Sequence, residues 1–243
     1  MASNPSAVTA VRSPASLSVL LPLYNEIEIL EPNLLRIDEF LSRHFDHYEI
    51  VIVESGSTDG SAELCDRLAS RLKRVRVIHE GARNGIGSAT RIGIQQATKD
   101  LTWRYAIDLP CALDVILEAL PLLATYQCVL SFRSSDDRVP YRRFQSAVFN
   151  NLAKTVLGIK VRHVNSAFKV YRTKDLQAMP LASRTGFIDT EMLFWTFRRG
   201  LSWVEIPVAL TDRTGGKSSV TFLEPLTWLK ELARLRLSAA GSR

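Results

Sequence analysis

The chain is poor in the residues that build covalent and metal frameworks: its 243 residues include three cysteines and four histidines. Cys65, Cys111 and Cys128 are odd in number, scattered and without metal-ligand spacing. That excludes a disulfide scaffold and reads as structural thiols in a reducing compartment. Long hydrophobic runs are missing too. No stretch reaches the roughly 18 to 20 apolar residues of a membrane-spanning helix. Residues 1–16 are rich in Ser, Ala and Pro without an apolar run, so they read as a flexible tail and not as a secretory signal. Together these absences predict a cytoplasmic protein.

What is present is a core and an excess of positive charge. Hydrophobic residues make up 46% of the chain, which excludes wholesale disorder and fits one large α/β domain or two small ones. The formal charge is +6. Arg67, Arg71, Lys73, Arg74 and Arg76 gather in one stretch, and Lys230, Arg234, Arg236 and Arg243 in another. Such a balance suits phosphorylated ligands or an anionic membrane surface. Nucleic acid is set aside, because charge without a groove-reading motif gives only non-specific binding.

Apolar strand-like runs at 18–21, 50–53, 75–78, 105–107 and 128–131 alternate with helical patterns. Leu30, Leu34, Ile37 and Leu41 recur at helical spacing, with Pro32 placed in the first turn. Leu64, Leu68 and Leu72 make the next stripe, Ala89, Ile92 and Gln96 a third, and 115–123 a fourth. Further on, helices are predicted at 144–157 and 191–198 and strands at 167–171 and 203–208. This alternation predicts a single α/β domain over 17–220, with a mostly parallel central sheet flanked by helices. The last segment, 221–243, sets Phe222, Leu226, Leu229, Ala233 and Leu237 near one face of an amphipathic helix, flanked by cations. It packs on the core or lies on an anionic membrane.

Chemistry concentrates where strands end. Pro22, Leu23, Tyr24, Asn25 and Glu26 follow the first strand, and Glu54, Ser55, Gly56, Ser57, Thr58, Asp59 and Gly60 follow the second. Asn84, Gly85, Ile86, Gly87 and Ser88 precede a helix, and Asp108 closes the fourth strand. Open α/β sheets bind ligands at such carboxyl ends. A Gly-Ser-Thr-Asp-Gly run is by itself also a common turn and helix cap.

In order and spacing these elements resemble the family 2 glycosyltransferases of GT-A fold, over roughly residues 17 to 219, and among them the polyprenyl-phosphate sugar synthases of dolichyl-phosphate mannose synthase type. Ser131-Phe132-Arg133 is similar to the family's Gly-Ser-Arg, and Asn165 to Lys169 to its Ser-Gly-Phe segment. Phe187 to Glu191 resembles its acidic helix start. The resemblance implies a nucleotide-sugar donor held by Pro22, Tyr24, Glu26, Glu54, Ser55 and Gly87. It implies Arg133, Lys217 and Ser218 against phosphates, and Asp108, Asp189, Glu191 and Arg213 as catalytic groups. A divalent cation, Mg or Mn, would sit on Asp108, and the acceptor would be a lipid phosphate reached at a membrane surface.

Several positions depart from the family pattern. Glu54 and Ser55 stand where two Asp are usual, Ala106 replaces the first Asp of Asp-x-Asp, and His163 replaces another Asp. Three readings follow: metal held by Asp108 with water and phosphates, arginines neutralising the diphosphate without metal, or a silent nucleotide-sugar-binding scaffold. Asp189 and Glu191 either serve a hydroxyl acceptor as base or orient an arginine. A phosphate acceptor, already an anion, needs no strong base.

Overall fold

The structure is a computed structural model that describes residues 12–134, 140–211 and 224–240. The chain runs β1 (Ser13–Leu23), α1 (Ile27–His44), β2 (Phe45–Glu54), α2 (Ser61–Arg71), β3 (Val75–His79), α3 (Ile86–Gln96) and β4 (Leu101–Arg104). The short α4 (Val115–Ala119), β5 (Cys128–Arg133), α5 (Pro140–Leu157), β6 (Lys169–Arg172), α6 (Thr173–Gln177), α7 (Ile188–Arg198), β7 (Trp203–Val208) and α8 (Glu224–Ala240) follow. Among the described residues the sheet has seven strands in the order β3-β2-β1-β4-β6-β5-β7. It is parallel except at β6, which runs antiparallel to both β4 and β5.

Both faces of the sheet are covered, which is why the central strands read as continuous apolar runs. Strand alternation divides them. Val19, Leu21, Ile50 and Ile52 join the core under α1, α2 and α4, where Leu30, Leu34, Ile37 and Leu41 are fully buried. Leu20, Val51 and Val53 join the opposite core, with Ala89 and Ile94 of α3 and with α5, α6 and α7. Cys65, Cys111 and Cys128 are buried and unbridged, and burial pushes each thiol up to about 12. They are packing residues, as their scatter in the sequence predicts.

Four boundaries differ from expectation. Residues 13–16 are not tail: Ser13 pairs with Phe45 and Ser16 with His47, across an irregularity in the register. Partnered backbone extends the strand where side chains gave no apolar signal. The fourth strand is Leu101–Arg104 and not 105–107, because the ladder to β1 covers Leu17↔Leu101 to Leu20↔Arg104. Tyr105 and Ile107 are buried, but in a loop. Pro32 lies beyond the first turn of α1. The carbonyl that its ring leaves unpaired belongs to Glu28, on the exposed side.

The fourth concerns α8. The face it buries carries Leu232 and Leu235, with Trp228 packed beside them. Trp228 meets Phe149 of α5 at 4.9 Å between centroids, and Glu231 accepts hydrogen bonds from the Ser183 and Thr185 hydroxyls. The predicted stripe is therefore turned away: Leu229 is 42% and Leu237 73% exposed, and Ala233 is exposed with them. Leucines on two adjacent faces make the periodicity ambiguous, and docking chose the face that carries Trp228. Phe222 and Leu226 of that stripe lie outside the described side chains.

Candidate functional site

The strand order reverses beside β1. The chain steps outward from β1 to β2 to β3, then returns to place β4 on the other flank of β1. Loops after β1 and β4 therefore part at their carboxyl ends and open a crevice there. Pro22 near the end of β1, Tyr24 and Glu26 on the first of these loops and Asp108 on the second are all half-buried.

The two loops after β1 and β2 are clasped together. Asn25 takes a left-handed backbone (φ 53), which its short amide tolerates. Its N–H donates to Ser57 Oγ at 3.0 Å, and Thr58 N–H donates to its Oδ1 at 2.8 Å. Glu26 N–H donates to Ser61 Oγ, and Asp59 accepts from the N–H groups of Ile27 and Ser61. Burial raises the Asp59 carboxyl, but these donors outweigh it and hold the group below the usual range. The Gly-Ser-Thr-Asp-Gly run is thus a turn and a clasp between the two loops.

Glu54, expected to hold the nucleoside, is only 2% exposed. Its carboxylate accepts from Ser57 N–H and from His79 Nδ1, the latter at 3.0 Å, and His79 Nε2 reaches Asp66 at 3.0 Å. Burial raises Glu54, yet His79 and Ser57 bring it below its ordinary value. The same contacts with Glu54 and Asp66 raise His79. Ser55 Oγ donates to Glu80 at 2.6 Å, and Ser88 Oγ donates to the other oxygen of the same carboxylate at 2.6 Å. Gly87 N–H donates to Arg184 O, and a Cβ there would lie 2.7 Å from the carbonyl oxygens of Ser183 and Thr185. Gly85, at φ 90, is pressed the same way: a Cβ on it would lie 2.2 Å from Arg184 O. These two glycines let the backbone of residues 183–185 pass close by.

On the β4 side Asp108 sits in a turn four residues beyond the strand, beside Leu109 at φ 51. Below it lies a buried charge cluster. Arg104 Nη2 is 3.3 Å from Asp189 Oδ2, and Lys169 Nζ is 3.1 Å from Asp189 Oδ1. Lys169 is fully buried and also donates to Ser166 O at 2.6 Å. It opens β6 and pairs with Arg104 across the ladder, so the one antiparallel strand delivers a cation to the carboxyl edge. Burial lowers Lys169, opposed by Asp189, while Arg104 and Arg133 lower it further. Asp189 stays below its ordinary value despite burial, because of Arg104 and Lys169. Arg133 closes β5, and its N–H donates to Nδ1 of His163 at 3.2 Å.

Asp189 therefore orients cations. Glu191 accepts from the N–H groups of Ala182 and Ser183 at 2.8 to 3.0 Å and fixes the loop against Gly85 and Gly87. Burial raises it above the usual carboxyl range, against those amides. Arg213, Lys217 and Ser218 lie outside the described residues. The expected divalent metal finds a single carboxylate in Asp108. Among the described residues no group of three His, Cys, Asp or Glu stands together to hold an ion, so an ion at Asp108 would draw its other ligands from a bound diphosphate and water. Arg104, Lys169 and Glu80 were not singled out from the sequence. The signal for the first two was a cation embedded in an apolar strand run.

The model of glycosyl transferase family 2 matches residues 18–179. Glycosyltransferase AglD of Haloferax volcanii is 29% identical over 216 residues, which are 84% of this chain and 34% of that protein. Undecaprenyl-phosphate 4-deoxy-4-formamido-L-arabinose transferase of Pseudomonas fluorescens is 31% identical over 208 residues, 83% of this chain and 59% of that protein. The chain thus spans between a third and three fifths of the length of these two relatives. Glucosyl-3-phosphoglycerate synthase from Mycobacterium tuberculosis, solved with Mn2+ and UDP-glucose, aligns with a TM-score of 0.67 at 21% identity, over 93% of this chain and 79% of that one. This likeness bears out the GT-A-type architecture.

Two outcomes are expected from the site. Asp189→Asn leaves Arg104 and Lys169 buried without their counter-charge and destabilises the fold by about 3 to 5 kcal/mol in urea unfolding. A loss below about 1 kcal/mol would contradict the cluster. The His79 contribution is present below the ordinary histidine pKa and lost as pH rises through its raised folded value. The Glu54 contribution is present above the ordinary carboxyl pKa and lost as pH falls through its lowered value. Melting temperature should therefore fall from about pH 6 to pH 8, and His79→Ala should flatten that slope.

Proposed function

This chain belongs to glycosyl transferase family 2, and we propose that it moves a sugar, with inversion, from a nucleotide-sugar to a polyprenyl phosphate. The observation that carries the acceptor is the state of the two carboxylates nearest to base chemistry. Asp189 is held by Arg104 and Lys169, and Glu191 is bound to two backbone amides. A hydroxyl acceptor would need such a group free to take its proton. A phosphate acceptor attacks as the anion it already is. The names of the Pseudomonas fluorescens relative and of an undecaprenyl-phosphate mannosyltransferase of Micrococcus luteus, 24% identical, support the same acceptor class.

The donor lies across the crevice. Tyr24, with the Arg83 guanidinium 4.4 Å from its ring centroid, and Pro22 wall the nucleoside end. Asp108 faces the sugar diphosphate. As the bond from the anomeric carbon to the diphosphate breaks, negative charge grows on the leaving group. Arg133 takes it up, with Arg213, Lys217 and Ser218 closing from the segment after β7. The structural neighbour's UDP-glucose supports a nucleoside-diphosphate donor.

A lipid acceptor requires a membrane surface. No described helix is long and apolar enough to cross a membrane. The exposed stripe of Leu229, Ala233 and Leu237, flanked by exposed Lys230, Arg234 and Arg236, supports contact with an anionic surface from one side.

The test incubates the protein with labelled UDP- and GDP-sugars and undecaprenyl phosphate in detergent. Label is expected in the lipid fraction, with its formation little affected by an added soluble sugar. Label moving only to hydroxyl acceptors, or staying on the nucleotide, overturns the reading. In vesicle flotation, Leu229→Glu/Leu237→Glu should lose binding to anionic liposomes while keeping nucleotide affinity. Flotation equal to the unaltered chain would count against α8 as the contact.

A further inference from the structure

We infer that Glu80 is the carboxylate that reads the nucleoside of the donor, a specificity role that rests on the donor reading above. The first argument is what surrounds it. Three other carboxylates at this edge of the sheet have a cation or backbone amides as partners: Glu54 has His79 and Ser57 N–H, Asp189 has Arg104 and Lys169, and Glu191 has two amides. Glu80 is half-buried, and its side chain receives only the hydroxyls of Ser55 and Ser88, one on each oxygen, both at 2.6 Å. Among the described residues it has no salt bridge.

Its place is the second argument. Glu80 directly follows the last residue of β3, and its N–H donates to Glu54 O at 2.9 Å. The loop then crosses the carboxyl ends toward β1. Ala82 backbone packs 2.9 Å from where a Gly56 Cβ would stand, and Arg83 reaches the Tyr24 ring. That path lines the nucleoside end of the crevice. Ser55 and Ser88 are 4% and 8% exposed, so they act on the ligand only through the carboxylate they orient.

Chemistry completes it. An ionised carboxylate has about four acceptor positions, and two hydroxyls use two of them. The remaining ones accept from the hydroxyls of a ribose or the imide N–H of a base. Glu54, bonded on both oxygens and 2% exposed, cannot take that part.

Calorimetric titration with UDP, GDP and inorganic pyrophosphate tests this on the full chain and on Glu80→Gln. The variant is expected to bind the preferred nucleotide about tenfold or more weakly, since a charge-assisted hydrogen bond is lost. Its pyrophosphate affinity and melting temperature should stay as in the unaltered chain. Equal nucleotide affinity in the two proteins, or an equal loss for pyrophosphate, overturns the role of Glu80. An unaltered chain that binds neither nucleotide overturns the donor reading itself. Should Glu80→Gln fail to fold, Ser88→Ala frees one carboxylate oxygen from its guide. Weaker nucleotide binding with unchanged pyrophosphate binding is then expected, and unchanged binding of both sinks the proposal.

Discussion

The parallel pairing of β1 with β2 on one flank and β4 on the other is the constraint from which the site follows. It sets Leu23 beside Glu54 and Leu20 beside Arg104, so the loops carrying Tyr24, Ser55 and Asp108 emerge at one edge. Parallel strands require crossover helices, and these close both faces of the sheet. The crevice can then open only at the carboxyl ends, where the connections diverge on either side of β1. The side chains of Asn25 and Asp59, each accepting from a backbone N–H of the other loop, keep the first two loops from parting.

A second constraint is electrostatic. The single antiparallel strand brings Lys169 to the edge where the parallel strands end, beside Arg104, with Asp189 between them. Removing such groups from water costs stability, and the carboxylate offsets that cost only while all three stay in place. Arg133 stands close enough to lower Lys169 as well. Arg104, Lys169 and Arg133 against Asp189 thus give the cluster more positive than negative charge. Lys169, with no exposed surface, acts through Asp189 and Arg104 and not on a ligand.

Much of this was legible along the chain, and the errors are instructive. Strands β2 and β3 were found because a strand covered on both faces is apolar at nearly every position. The fourth strand was placed at 105–107 because Tyr105 and Ile107 are as buried as any strand residue, although their backbone has left the ladder. For α8, periodicity alone could not choose between two leucine-bearing faces. The choice fell to Trp228, which closes over Gly186, where a Cβ would lie 3.0 Å from its ring. Gly87 reads as a donor-binding position because small residues before a helix let a ligand come close. Here they admit the backbone of residues 183–185.

By itself the sequence determined the fold class, the order of the motifs and the edge of the sheet at which they gather. Hydrophobic alternation and turn chemistry are local, and they write themselves into neighbouring residues. Only the tertiary structure decided which carboxylates remain available. Glu54 is bonded to His79, 25 positions away, and Asp189 to Arg104 and Lys169 from two strands, while Glu80 receives only the hydroxyls of Ser55 and Ser88. A carboxylate's role depends on the donors and cations within a few ångströms of it. Those neighbours come from distant parts of the chain, so no local pattern records them.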